Sequence, residues 1–245
     1  MLLSIVQGGH SSVADLVLEV SGNQTAYNVL TAATAAGYNA ATDDTAIIVN
    51  IQSGVDIVGS SGNPGIQVGA INSASDLTIN IASGASVCGF DGANNTSTGG
   101  AGGDGTDAIS FSGLSSSTAT LSVVSSGTLG GGSGGGGGGG SGGSAGARLT
   151  PYCDSKGCNC FSPNVYGSAG SKGANGSGGT SCQAQNGTAG ATGSSGSYPS
   201  NVCPVSVGAG SGGAGGAGGT AGKAIEYNSL TVNFTNNGTL YGATS

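Results

Sequence analysis

Five of the chain's six cysteines, Cys153, Cys158, Cys160, Cys182 and Cys203, fall in one segment. Thiolates grouped in this way can hold a metal, and thiols can oxidise to disulfides. The stretch "CDSKGCNC" has a Cys-x4-Cys-x-Cys spacing that is not usual for zinc, and the single histidine, His10, is remote in sequence. A segment without a core of its own gains from covalent staples. Disulfides among these five are therefore expected, with no metal and no cofactor. Five is odd, so one thiol stays free or pairs with Cys88. That residue sits on an alternating strand and reads most simply as a small buried hydrophobe. The connectivity stays open.

Other chemistry finds less support. "GGDGTDAIS" (Gly102 to Ser110) fits a calcium-binding nonapeptide, but such sites need tandem copies. The corresponding stretch "GGTAGKAIE" has Lys223 where Asp107 stands, so the match is read as structural. Ser and Asp near Val55 have no histidine partner for a triad. Asp43 and Asp44 are adjacent and read as loop-solvating. Gly-x-Gly-x-x-Gly matches follow from composition alone and say nothing of phosphate. Catalysis is not expected.

Recognition has a better claim. The segment from Arg148 to Pro204 holds four of the five prolines and three of the seven tyrosines. Arg148, Tyr152, Lys156, Phe161, Tyr166, Lys172 and Tyr198 lie within it. Aromatic side chains and arginine are the usual anchors of binding surfaces. Proline and disulfides would pre-organise the loops that carry them.

Something must position that segment. "IIVNIQSGVDIVG" (Ile47 to Gly59), "LTINIASGASVCG" (Leu77 to Gly89), "LSVVSSGTLGG" (Leu121 to Gly131) and "LTVNFTNNGTLYG" (Leu230 to Gly242) share one pattern. Each has a strand of period two, a Ser-Gly or Asn-Gly turn and a second short strand. The spacing predicts a mainly β chain of repeated strand-turn-strand units, either a β-solenoid of stacked rungs or a β-sandwich. Residues 24 to 42, "QTAYNVLTAATAAGYNAAT", predict one short N-terminal helix.

Glycine-rich sequence is inserted at one place in the repeat. Gly130 to Gly146 contain only Gly, Ser and Ala, which would suit a flexible linker. Yet the repeat resumes afterwards, so the chain leaves the framework and returns to it. "SGGAGGAGG" (Ser211 to Gly219) also has a period of three, which matches a polyproline-II-type helix. Such helices make no internal hydrogen bonds, so their amides must pair laterally. Glycine alone lets backbones come that close. A packed polyglycine-II-like apex is expected rather than a linker.

The ending "GGAGGAGGTAGKAIEYNSLTVNFTNNGTLYGATS" resembles the C-terminal glycine-rich segments of tailed-bacteriophage tail-fibre and tail-tip proteins. The glycine-rich body is similar to the long-tail-fibre tip adhesins of T-even-like phages. That resemblance implies packed polyglycine-II helices and loops that bind a bacterial surface receptor, an outer-membrane protein or a surface glycan. It also implies other virion tail proteins as partners, a homo-oligomer such as a trimer, and a place in the phage tail after assembly in the host cytoplasm.

Charge and composition agree with a surface-binding role. Net charge is −7, and residues 1 to 147 carry nine acids and no base. A nucleic-acid partner would need a basic stripe, and no apolar run is long enough to insert in a membrane. The expected organisation is an attachment segment 1–45, a β framework 46–129, the Gly-rich, Cys-containing insertion 130–223 and a closing hairpin 224–245. The alternatives are a structural virion part without a receptor role, or a glycine-rich ice-binding protein.

Overall fold

The computed structural model describes residues 15–114, 120–154, 157–166, 168–197, 206–207 and 209–245. The period-two runs stack as the rungs of a three-faced parallel β-solenoid. Rung one is β1 (Leu16–Val20), β2 (Gln24–Thr25) and β3 (Tyr27–Asn28). Rung two is β4 (Ile47–Ile51), β5 (Asp56–Val58) and β6 (Ile66–Gln67). Rung three is β7 (Leu77–Ile81), β8 (Ser86–Cys88) and β9 (Ile109–Ser110). Rung four opens with β10 (Leu121–Ser125) and β11 (Thr128–Gly130). The chain then leaves the solenoid and forms β12 (Ala147–Asp154), β13 (Gly157–Tyr166) and β14 (Ser206–Val207). It returns as β15 (Ile225–Glu226), which closes rung four, and continues into β16 (Val232–Asn236) and β17 (Thr239–Tyr241) of rung five.

In-register pairing puts like on like. Ile47, Leu77 and Leu121 align on one face, and Ile57, Val87 and Leu129 on the second. Ile66, Ile109 and Ile225 align on the third. All nine are buried. Removing such aliphatic surface from water is what holds rung to rung. Of the two β architectures left open by the sequence, the parallel strand order β1-β4-β7-β10-β16 is the solenoid.

The helix is shorter than the sequence predicts. Only Val29–Ala35 is helical, as α1. Gln24–Thr25 and Tyr27–Asn28 pair with β5 and β6 instead, so rung formation overrides helix propensity there. Asn28 caps the start, its side chain accepting the Thr31 N–H at 2.9 Å. Gly37, with φ of +100°, turns the chain away at the other end.

Candidate functional site

Beyond β11, Gly131 to Gly146 is neither a linker nor a strand. It is the central helix of a polyglycine-II bundle, and Gly130 to Gly140 are all buried. The helix turns once per three residues, so its amides point in three directions. Gly134, Gly137, Gly140 and Gly143 donate to Gln185, Thr188, Ala191 and Ser194. Gly132, Gly135 and Gly138 donate to Thr106, Gly103 and Gly100. Its carbonyls follow the same period, accepting from segments 89–99, 170–179 and 210–222. Five segments thus surround the central one, with N···O distances such as 2.9 Å for Gly137 to Thr188.

The glycines are required by the approach distances. A Cβ on Gly134, Gly137 or Gly140 would lie about 2 Å from a carbonyl oxygen of the 209–222 segment: 2.0, 2.1 and 1.9 Å respectively. Real side chains do not tolerate such contacts. Conformational freedom is secondary here, because the space itself excludes any side chain.

Among the described residues, no sixth helix faces the third amide direction. Ser133, Gly136 and Gly139 instead donate to the side chains of Asp91, Asn94 and Asn175, at 2.8, 2.7 and 3.0 Å. These three form a polar seam between segments 89–99 and 168–179. Lys172 lies on that seam, its ammonium donating to the Thr96 carbonyl at 2.9 Å. The same device recurs elsewhere. Asp104 accepts the Thr220 N–H and hydroxyl, which holds its carboxyl below the usual range. Asp107 accepts the Lys223 N–H at 2.7 Å, but burial raises its pKa above the ordinary aspartate value. The nonapeptide match at Gly102 to Ser110 therefore presents its two carboxylates to backbone amides. Among the described residues, no three His, Cys, Asp or Glu side chains come together as a metal site.

The bundle carries a hairpin at its far end. β12 continues directly from Gly146, and β13 pairs with it antiparallel. β14 adds a third strand through Ala147↔Val207 and Arg148↔Ser206. At about 3.1 Å per residue, the central helix holds this sheet roughly 50 Å from β11. Arg148 and Tyr152 lie on β12, and Phe161 and Tyr166 on β13. Lys156 and Tyr198 lie outside the described residues. Lys172 belongs to the flank rather than the end, since Gly170 and Gly173 beside it pair with Gly143 and Gly140.

The cysteines divide likewise. Cys182 is bonded to Cys88, with Cα atoms 5.0 Å apart and 94 residues between them in sequence. Cys88 is thus not a bare hydrophobe, as its strand position suggests, but one half of a staple. The bond ties the near-end turn of the bundle to the end of β8. Cys153 lies on β12, Cys158 and Cys160 on β13, and Cys203 outside the described residues.

The sequence reading missed the seam. Its signal is an Asx residue every third position, Asp91 with Asn94 and Asp104 with Asp107. That is the period of the glycine helix they serve.

Residues 15–245 match the family model described as phage tail fibre adhesin Gp38. The chain belongs to that family. No individual curated protein matches it in sequence. Among solved structures it is similar to the gp37-gp38 adhesin tip complex of the bacteriophage S16 long tail fiber. That match has 18% identity and a TM-score of 0.47, covering 94% of this chain and 82% of that one.

Family membership decides among the readings of the sequence. The protein is a tail-fibre adhesin that binds a host receptor, not an ice-binding protein. No helix among the described residues is long and apolar enough to cross a membrane.

Proposed function

We propose that the three-stranded sheet at the far end of the glycine bundle is the receptor-contact surface of this adhesin. The observation that carries this reading is the placement of β12 and β13. A buried, laterally bonded helix delivers them directly to the end of the bundle, away from the solenoid. Arg148, Tyr152, Phe161 and Tyr166 supply aromatic and basic anchors in that sheet, and Lys156 and Tyr198, from the same sequence segment, are further candidates. Lys172 joins this set only if the receptor also reaches the seam. The receptor is a protein or glycan of the bacterial surface, held by contact without catalysis.

Residues 1–45, whose described part forms the first rung and α1, are proposed to join the adhesin to another tail-fibre protein. Residues 46–129 and 224–245 then act as a rigid base, and 130–223 as the projecting recognition unit. On this reading the protein assembles into the virion tail inside the host.

The test is competition. Purified adhesin should block adsorption of its phage to host cells. Replacing Tyr152, Lys156 and Tyr166 together by Ala should remove that block without changing the melting curve. A triple variant that competes as well as the parent would refute the assignment, and a purely structural role for the hairpin would replace it.

A further inference from the structure

We infer that Cys153 and Cys158 form a disulfide that clasps the free end of the β12–β13 hairpin. The register places Cys153 directly opposite Cys158, next to the terminal pair Asp154↔Gly157. Whether that position suits a disulfide depends on the phase of the ladder. Antiparallel pairs alternate between those that exchange two hydrogen bonds and those that exchange none. Pro151 has no N–H, so Pro151↔Cys160 must be a non-hydrogen-bonded pair. Two steps along, Cys153↔Cys158 shares that phase. Asp154↔Gly157 is then the hydrogen-bonded pair at the strand ends.

Non-hydrogen-bonded pairs bring Cα atoms to about 4.5 Å, with side chains nearer than in the alternate pairs. This falls inside the disulfide range of about 4.4–6.8 Å. The competing pairings fit less well. Cys153 and Cys160 are diagonal neighbours, about 7–8 Å apart. Cys158 and Cys160 lie two residues apart on one strand, about 6.7 Å, at the edge of that range. With Cys182 already bonded to Cys88, the register selects one partner for Cys153.

The oxidation needs an acceptor, and a low-molecular-weight disulfide supplies it. One cysteine thiolate attacks RSSR and expels one RS⁻. The second cysteine then attacks the mixed disulfide and expels the other. Two protons pass from the cysteines to the leaving thiolates, so two RSH form as one S–S bond is made. The clasp is next to Tyr152 in sequence, so it orders that end of the hairpin before a receptor arrives and lowers the entropic cost of contact. This consequence rests on the receptor-contact reading; the bond itself does not.

Peptide mapping decides the point on the intact adhesin. Lys156 lies between the two cysteines, so trypsin after non-reducing alkylation separates residues 149–156 from 157–172. The two peptides are expected as one linked species that splits on reduction, with fragment ions placing the bond at Cys158. Peptide 149–156 recovered alkylated and alone, linked at Cys160, or linked to the peptide carrying Cys203, would overturn the proposal. For the consequence, a Cys153→Ala, Cys158→Ala variant should fold normally and adsorb several-fold more slowly. Unchanged adsorption would leave the mapped bond standing and remove its role in recognition.

Discussion

Asn94 and Gly136 meet across the flank of the glycine bundle, the side-chain oxygen of one accepting the backbone N–H of the other at 2.7 Å. Gly136 is buried, and its amide faces the one direction in which, among the described residues, no neighbouring helix supplies a carbonyl. A buried donor left without a partner costs about 1–3 kcal/mol. Asn94→Ala is therefore expected to lower stability by about 1 kcal/mol, the lower end because Asn94 itself is exposed and water can substitute in part. Asn94→Asp keeps the acceptor and should remain close to the parent. Equal melting of the Ala and parent proteins would show that the seam contributes nothing.

Gly136 makes a second, steric prediction. A Cβ there would lie 2.4 Å from the backbone of Gly176. Gly136→Val should therefore disrupt the bundle while leaving the solenoid rungs folded. Amide exchange reads both effects. In the parent, Gly132 to Gly140 should be protected like core strands, and in the variant that protection should be lost. Exchange in the parent at the rate of an unstructured peptide would contradict the lateral pairing.

The Cys88–Cys182 bond joins elements 94 residues apart. The chain-entropy argument gives about 4–5 kcal/mol as the upper limit for a loop of that size. The double replacement by Ser should thus lower the melting temperature, and a reductant should lower the parent's melting at least as far, since it opens the Cys153–Cys158 clasp as well. Faster exchange is expected first at Thr180 to Ala184, the turn that the bond holds to β8. A variant that melts with the parent would mean that the turn is held by its hydrogen bonds alone.

How far the sequence speaks depends on the range of the interaction that decides each feature. The strands at Ile47, Leu77, Leu121 and Val232 are legible because period-two burial is written locally. Leu16–Val20 carries the same local signal, an alternating run followed by Ser21-Gly22, so the first rung is as legible as the others although the four copies compared above do not include it. Solenoid and sandwich share the same local pattern, and only the pairing of β4 with β7 and β10 separates them. The glycine bundle is legible through its period of three. The Cys88–Cys182 pairing is not, because it depends on how the glycine segments fold back. Lys172 is close to Tyr166 in sequence but on the seam in space. Pro151 and Pro163 argue against strands in any local reading, yet β12 and β13 accommodate them. Pro151 sits at a non-hydrogen-bonded position. Pro163 falls where the register shifts by two residues, between Leu149↔Asn164 and Thr150↔Phe161.

Burial makes Asp107 sensitive to pH. Its folded pKa lies above the ordinary value, chiefly through desolvation, with Glu226 adding repulsion. The folded state therefore holds this proton more tightly than the unfolded chain. Ionised Asp107 lowers stability at neutral pH, and the penalty disappears as pH falls through the raised value. Asp107→Asn keeps an acceptor for the Lys223 N–H and removes the charge. It should raise the melting temperature at pH 7 and have less effect at pH 4. Glu226 works the other way: its Lys223 partner lowers its pKa, so its contribution is lost on acidification. A parallel shift of the Asn variant at both pH values would refute the desolvation argument.

Charge should also govern how fast the adhesin finds its host. Residues 1 to 147 carry nine acids and no base, so most of the chain is repelled by an anionic bacterial surface. Arg148, on β12, and Lys156, two residues beyond its last residue in sequence, reverse the sign. Steering of this kind acts on the association rate more than on the final affinity. It also fades once the Debye length shrinks, from about 10 Å at 0.1 M salt to about 3 Å at 1 M. Lys156→Glu is expected to slow phage adsorption several-fold at low monovalent salt and to converge on the parent at high salt. Dissociation of bound particles should change little. A deficit that persists unchanged at high salt would mean that Lys156 makes a direct contact instead of steering, and the loss would then appear in the dissociation rate.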